Sequence, residues 1–256
     1  MNILVVNDDS WSAKGIHELV KLMQQIGNVT VIAPETPQSG KSNAITVMQP
    51  ITLRLVEKAE NLAVYTTSGT PSDCIKLALE VVLKDQPVDL VVSGINHGSN
   101  AAVNVIYSGT IGACFVAAEH DIPAIGFSLN DHHSDADFSQ MKPYILPLTE
   151  KLLQHPFPHG VCYNINAPQG EIRGVRFTRQ CQGHWEKELK PYQYPNGETF
   201  YILTGNFVNH EPDAEDTDEW AMAHGYISVT PCALDTTCHQ QLQNAVLRTA
   251  VENNAL

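Results

Sequence analysis

Residues 2–10 read NILVVNDDS, and this stretch decides the fold. Ile3, Leu4, Val5 and Val6 form an apolar run without polar alternation, the pattern of a strand buried on both faces of a parallel sheet. The run stops abruptly at Asn7-Asp8-Asp9-Ser10, where two adjacent carboxylates repel each other. An ordinary turn needs neither of them. They lie in water, or cap the helix that follows, or are held together by something positive.

Working outward, residues 12–26 carry Ile16, Leu19, Val20, Met23 and Ile26 at helical spacing on one face. NVTVIAP (28–34) is a second strand. The polar segment ETPQSGKSNA (35–44) has no periodicity, and such a loop in a compact domain is more often functional than idle. ITVMQPITLRLVE (45–57) predicts a β excursion and AVYTTSG (63–69) a further strand. In TPSDCIKLALEVVLK, Thr70 is placed to cap a helix, with Pro71 at its first position and Asp73 in its first turn. PVDLVVSG (87–94) and IPAIGFSL (122–129) are buried strands flanking a helix from Thr110 to Glu119, and Asn130 to Asp137 is a surface loop. A helix bearing Phe138, Met141, Ile145, Leu148 and Leu152 follows, bent or shortened by Pro143 and Pro147. From about residue 160 strands dominate (VCYNINAP, GVRFTRQ, TFYILTG, GYISVTP), with a closing helix near 239–253.

Alternating strands and helices predict an α/β fold, a Rossmann-like, doubly wound and mostly parallel sheet, with a strand-rich C-terminal extension. We expect residues 1–158 to form the core and residues 159–256 the strand-rich part. Within that part Trp185, Tyr192, Tyr194, Phe200 and Tyr201 fall close together, an aromatic cluster expected on an oligomerisation arm.

The 256 residues are 43% hydrophobic, enough for a real core. No apolar run approaches the ~20 residues of a membrane span, and no basic region precedes a cleavable apolar segment, so we expect a cytoplasmic protein. Six cysteines without a CxxC pair argue for reduced thiols and against structural zinc. A net charge of -13 disfavours duplex nucleic acid as a partner, because no basic run exists to displace its counterions. A small anionic substrate would need a local positive centre, which a metal ion supplies.

In a doubly wound sheet, ligands bind at the carboxyl ends of the strands, near the point where strand order reverses. The strand ends here deliver Asp8 and Asp9, then Ser39 and Asn43, then Asn96 and Asn100, with Ser108-Gly109-Thr110 just before a helix. These are hard oxygen and amide groups, suited to magnesium, manganese or calcium and poorly suited to zinc. His97 has no second histidine beside it and reads as a loop residue. Ser-Gly-Thr ahead of a helix leaves N–H groups and hydroxyls aimed at one spot, which suits a phosphate, although such residues also serve simply as caps. TTSGTPSD (66–73) has the same ingredients. A phosphate beside a hard cation points to metal-assisted hydrolysis of a phosphate ester.

Taken in order, ILVVNDDS, APETPQSGKSNAIT, SGTPSDCIKLAL, VVSGINHGSN, VIYSGTIGA, IPAIGFSL and GYISVTP resemble the SurE family of survival-protein nucleotidases, from residue 3 to about 231. The resemblance implies a Rossmann-like sheet with a C-terminal part used in dimerisation, and divalent-metal-dependent release of phosphate from nucleoside 5′- and 3′-monophosphates. It implies one Mg2+ or Mn2+ per subunit held by Asp8, Asp9, Ser39 and Asn96, with Asn43, Asn100, Ser108, Gly109 and Thr110 at the substrate. Asp8 is the expected catalytic residue, orienting or deprotonating a metal-activated water that attacks phosphorus; a covalent role for Asp8 stays open. The expected assembly is a homodimer, or a tetramer formed by pairing dimers. Two departures stand out. Ser10 replaces the family's usual glycine, which matters if that position needs a positive φ, and Ala101, Ala102 and Asn104 replace the family's Leu-Gly and acidic residue.

Other classes fit less well. A haloacid-dehalogenase-type phosphatase spaces its carboxylates two apart, whereas Asp8 and Asp9 are adjacent. A receiver domain needs an aspartate ending its third strand, where Ser93-Gly94 stands. A non-catalytic nucleotide-binding module would be excluded by steady phosphate release from AMP.

Overall fold

A computed structural model describes residues 1–245. In chain order these form β1 (Asn2–Val6), α1 (Lys14–Met23), β2 (Asn28–Pro34), β3 (Leu53–Ala59), β4 (Leu62–Thr67), α2 (Pro71–Leu77), β5 (Leu90–His97) and α3 (Gly109–Glu119). There follow β6 (Ala124–Leu129), α4 (Lys142–Leu153), β7 (Val161–Ala167), β8 (Gly174–Phe177), β9 (Gly183–Glu186), β10 (Leu189–Gln193) and β11 (Thr199–Leu203). The chain closes with β12 (Asn206–Asn209), α5 (Asp218–Ala223), β13 (Tyr226–Ala233) and α6 (His239–Leu242).

Nine strands build one sheet in the order β3-β4-β2-β1-β5-β6-β7-β13-β8. The six from β4 to β7 run parallel, while β3 and β13 pair antiparallel with β4 and β7. The chain winds outward from β1 through β2 to β4, then returns to β5 on the other side of β1. The switch in strand order therefore falls between β1 and β5, and a crevice opens beyond their carboxyl ends. Both faces of the sheet are covered. Ile16, Leu19 and Met23 of α1 pack with Ile145 of α4 on one side, and Ile75 of α2 packs with Ile111 and Val116 of α3 on the other.

Local sequence accounts for the starts of α2, α3 and α5, each capped by a Ser or Thr side chain. Thr70 and Asp73 form a reciprocal capping box with Pro71 behind the cap, and a π-helical turn over Ala78–Val82 continues the segment after α2. Ser108 caps α3 by accepting from the Ile111 N–H at 3.0 Å. The helix after the surface loop is shorter at its start than its apolar spacing suggests. It begins at Lys142 with Pro143 in the first turn, leaving Phe138 and Met141 as buried residues ahead of it. Of the expected β excursion over 45–57 only the part from Leu53 onward is strand, as β3; residues 45–52 are irregular. Of the expected closing helix, α6 is the described part, and the stretch from 246 onward lies outside the described residues. The sheet crosses the expected division at residue 158, since β7, β8 and β13 all extend it.

Close packing at Gly15 sets the distance between α1 and β5. A Cβ there would collide with the carbonyl oxygen of Ile95, the residue before Asn96. We expect Gly15→Ala to destabilise the fold by about 1–3 kcal/mol despite alanine's better helix propensity. Urea denaturation measures this, and an unchanged midpoint would refute the tight contact.

Candidate active site

At the switch point a cleft of about 390 Å3 is lined by Asp8, Ser39, Asn96, Asn100 and Ser108. They arrive from four places: the end of β1, the loop after β2, the end of β5 with the loop that follows it, and the turn into α3. Five of the sequence-derived residues thus share one cavity. Asp9 faces an adjoining recess that shares His97 and His132 with the main cleft. Gly109 and Thr110 sit beneath the cleft, against Asp8. Asn43 lines a separate cavity beside Val105 and Cys232 and packs over Gly112 in the first turn of α3.

The acidic pair is held by specific donors. The Thr110 hydroxyl donates to Asp8 Oδ1 at 2.5 Å, and the His97 backbone N–H donates to Asp9 Oδ2 at 3.0 Å. The Gln38 N–H donates to the Asp8 carbonyl at 2.7 Å and so draws the loop carrying Ser39 to the end of β1. Gly109 is there because nothing larger fits: its missing Cβ would lie 2.9 Å from the Asp8 Cβ. Burial, and then the charge of Asp9, push the Asp8 carboxyl up to about 6, while the Thr110 hydroxyl and the Gly109 N–H pull the other way. Burial likewise raises Asp9, opposed by the His97 N–H and the His97 and His132 rings. Two acids raised this way are short of positive charge.

A hard divalent cation fits the residues present. Asn96 spends its Nδ2 on the Gly98 carbonyl at 2.7 Å, which leaves the oxygen Oδ1 as its free metal donor. With two carboxylates and the Ser39 hydroxyl it makes an all-oxygen set. Among the described residues no group of three His, Cys, Asp or Glu side chains could hold a metal, so a zinc-type cluster does not compete.

Behind the cleft a buried amide network fixes the loop after β5. The Asn100 Nδ2 donates to Ser128 Oγ at 2.8 Å, its backbone N–H to Asn166 Oδ1 at 2.8 Å, and Asn164 Nδ2 to the Asn100 carbonyl at 2.9 Å. Ser10 holds φ at 90°, a conformation that favours glycine. Ala102 is at φ 50°, again in the left-handed region, and its N–H donates to Asp218 Oδ2 at 2.9 Å.

Part of the wall was not legible in the sequence. Trp185, Phe207, Asn104, Tyr107 and Glu219 also line the cleft. Trp185 had the character of an exposed arm residue; instead its indole N–H donates to Asn104 Oδ1 at 2.8 Å. Of the five aromatic residues grouped by proximity in sequence, only Tyr192, Tyr194, Phe200 and Tyr201 belong to the separate β10–β11 hairpin or its turn. No motif signalled this, because a change of direction after β9 separates neighbours in sequence.

Glu219, on α5, is pushed from 4.5 up to about 7 by burial and by Asp218. A carboxyl raised in the folded state favours folding most below its ordinary value, and that contribution is lost as pH rises toward 7. With solvent screening at its partly exposed position, the loss is about 1–2 kcal/mol. We expect Glu219→Gln to be more stable than the unsubstituted protein by about that amount at pH ~8, with the gap closing near pH ~4. Urea denaturation at both pH values decides it, and a gap independent of pH would refute it.

A family model described as "Survival protein SurE" matches residues 3–187. The chain is 48% identical over 246 residues to the 5′-nucleotidase SurE of Flavobacterium psychrophilum, covering 94% of this chain and 95% of the relative. It is 46% identical over 238 residues to that of Phocaeicola vulgatus, covering 93% and 92%. The crystal structure of the SurE protein from Aquifex aeolicus superposes with a TM-score of 0.83 at 30% identity, covering 98% of this chain and all of that one. With its doubly wound sheet and acidic switch-point cleft, the chain belongs to the SurE family.

Proposed function

We propose that this protein is a divalent-cation-dependent nucleotidase that releases phosphate from nucleoside 5′-monophosphates and also from 3′-monophosphates. The observation that carries this is the Asp8-Asp9 pair at the switch point, both raised by desolvation and Asp8 also by the charge of Asp9, beside a hydroxyl- and amide-lined cleft. Relatives matched over nearly their whole length are named as 5′-nucleotidases, which supplies the substrate class.

Asp8, Asp9, Ser39 and Asn96 are the cation's ligands, and Mg2+ or Mn2+ suits such a set, one ion per subunit. When bound, the ion neutralises charge on the phosphoryl oxygens and makes water a better nucleophile. The chain's own residues do the rest. Asp8, fixed by the Thr110 hydroxyl and backed by Gly109, orients the attacking water and accepts its proton at the oxygen left free by Thr110. Asn100 and the Ser108 hydroxyl face the phosphate, while Gly109 and Thr110 position Asp8 beneath it. Asn43 braces the first turn of α3 and so supports that turn at one remove.

We also propose a homodimer, able to pair further into a tetramer, joined through the β10–β11 hairpin. The hairpin is a two-stranded sheet of its own and exposes Leu189, Tyr192, Tyr201, Ile202 and Leu203. Such a patch is large for a lone subunit. Among the described residues no helix is long and apolar enough to cross a membrane. All six cysteines are free, which suits a reducing cytoplasm.

Two experiments test these readings. Phosphate release from AMP should vanish in excess EDTA and return with Mn2+ or Mg2+. Asp8→Asn should lose on the order of 10³-fold in rate while still folding. Metal should raise the melting temperature of the unsubstituted protein and not of Asp8→Asn. Full turnover in EDTA, or an active Asp8→Asn, would overturn the metal reading. Separately, replacing residues 189–203 with a short Gly-Ser turn should shift the light-scattering mass from dimer to monomer. The hairpin's base is closed by the Thr204 N–H donating to the Glu188 carbonyl at 2.7 Å, so the rest of the fold should survive. A monomeric mass for the intact chain at micromolar concentration would rule the dimer out.

A further inference from the structure

Beyond the metal-binding and phosphate-binding residues, the cleft has a second wall of different chemistry. It is contributed mainly by β9 and β12, which pair antiparallel with Trp185 opposite Phe207. The two rings meet edge to face, with centroids 6.0 Å apart. Two glycines make room for them. A Cβ at Gly183 would collide with the Phe207 ring, and one at Gly205, which holds φ at 133°, would press on Trp185 Cε3 at 3.2 Å. The Trp185 ring is thus braced by backbone at Gly205 and by Phe207 at its edge, while the residue remains half-buried on the cleft.

Asn104 completes this wall. An indole N–H only donates, so the 2.8 Å bond from Trp185 fixes the carbonyl oxygen of the Asn104 amide toward Trp185. The Asn104 Nδ2 then points away from the indole, and among the described residues no protein acceptor takes its hydrogens. The loop carrying Asn104 is pinned to α5 through the Ala102 N–H and Asp218 Oδ2. Both halves of the wall are therefore set before any ligand arrives.

We propose that Trp185, Phe207 and Asn104 form the nucleobase subsite of this enzyme: the base stacks on the braced indole, and the Asn104 Nδ2 donates to an acceptor atom on the base edge. The inference rests on the nucleotidase reading and adds the residues that distinguish a nucleotide from other phosphate monoesters. Stacking on an aromatic side chain tolerates any base, because every base has a π-face. The Asn104 donor adds a preference for bases that present a ring nitrogen or carbonyl acceptor there. A purely structural role, fastening the extension to the sheet, would make all substrates suffer together when this wall is altered.

The test compares kcat/KM for AMP with that for ribose 5-phosphate, which has the phosphate and sugar but no base. Trp185→Ala should lower the AMP-to-ribose-5-phosphate ratio about 10- to 100-fold, mainly through the KM for AMP. Trp185→Phe, which keeps an aromatic face, should retain most of the ratio. Asn104→Asp still accepts from the Trp185 indole but has no amide donor, and should lower the ratio about tenfold. Equal losses on both substrates in Trp185→Ala and Asn104→Asp would overturn the subsite. If Trp185→Ala fails to fold, the other two variants still decide. If the unsubstituted protein turns over neither compound with Mn2+, the nucleotidase reading fails; calorimetric binding of AMP and of ribose 5-phosphate to the same variants then tests the subsite alone. Tighter binding of AMP that disappears in Asn104→Asp supports it, and equal binding of the two compounds refutes it.

Discussion

The hydrogen bond from the Thr110 hydroxyl to Asp8 ties the first turn of α3 to the end of β1, and much of the site depends on that tie. It draws charge density from a carboxylate that burial and Asp9 would otherwise neutralise. It also brings the Ser108 cap to the cleft and sets Gly109 so close that no side chain fits between helix and acid. The loop after β2 is drawn in by the neighbouring backbone bond to the Asp8 carbonyl, and the end of β5 by the His97 N–H on Asp9. Three connections therefore converge on two acids. Desolvating two adjacent carboxylates costs stability, and a bound cation would offset that cost.

What the sequence made legible follows from how local each signal is. The Ile3-to-Val6 run ending in two acids announced a buried strand and a switch-point site together, because hydrophobic continuity and abrupt polarity are both local. The Thr70 cap with Pro71 and Asp73 was equally plain, and the structure has the full capping box. Ser10 could be weighed only conditionally, since nothing but the backbone reveals its φ of 90°. The structure supplies that value and shows a serine where glycine would be relaxed. The base wall was illegible for a different reason. Trp185 and Asn104 are 81 positions apart in sequence, and only tertiary packing brings them into a 2.8 Å bond. Proximity in sequence grouped Trp185 with Tyr192 and Tyr201, and the hairpin's change of direction separated them.

The competing enzyme and signalling classes differ from this protein at positions the fold now locates. A receiver's phospho-acceptor would stand where Ser93 does, within β5, and Ser93 is fully buried with an unpartnered hydroxyl. The cleft is reached instead by Asn96, near the carboxyl end of β5, after a shift in register against β6 between Ser93 and Asn96. One sheet architecture thus hosts unrelated chemistries, and the side chains delivered at the strand ends separate them.

The cleft is assembled from two stretches of chain, joined by the amides around Asn100 and by the Trp185–Asn104 and Ala102–Asp218 bonds. Its aspartates and most of its amides and hydroxyls come from residues before 111, Asn130 and His132 from the loop after β6, and Trp185, Phe207 and Glu219 from the extension. Mutations in the extension can therefore explore new substrates while the reactive half of the cleft is left alone. Such a layout favours divergence by drift: a duplicated copy could exchange its preferred base, or abandon bases altogether, without first losing the ability to hydrolyse an ester. The Ala102–Asp218 and Trp185–Asn104 bonds restrain that freedom, because they couple the variable wall to the loop that must stay fixed.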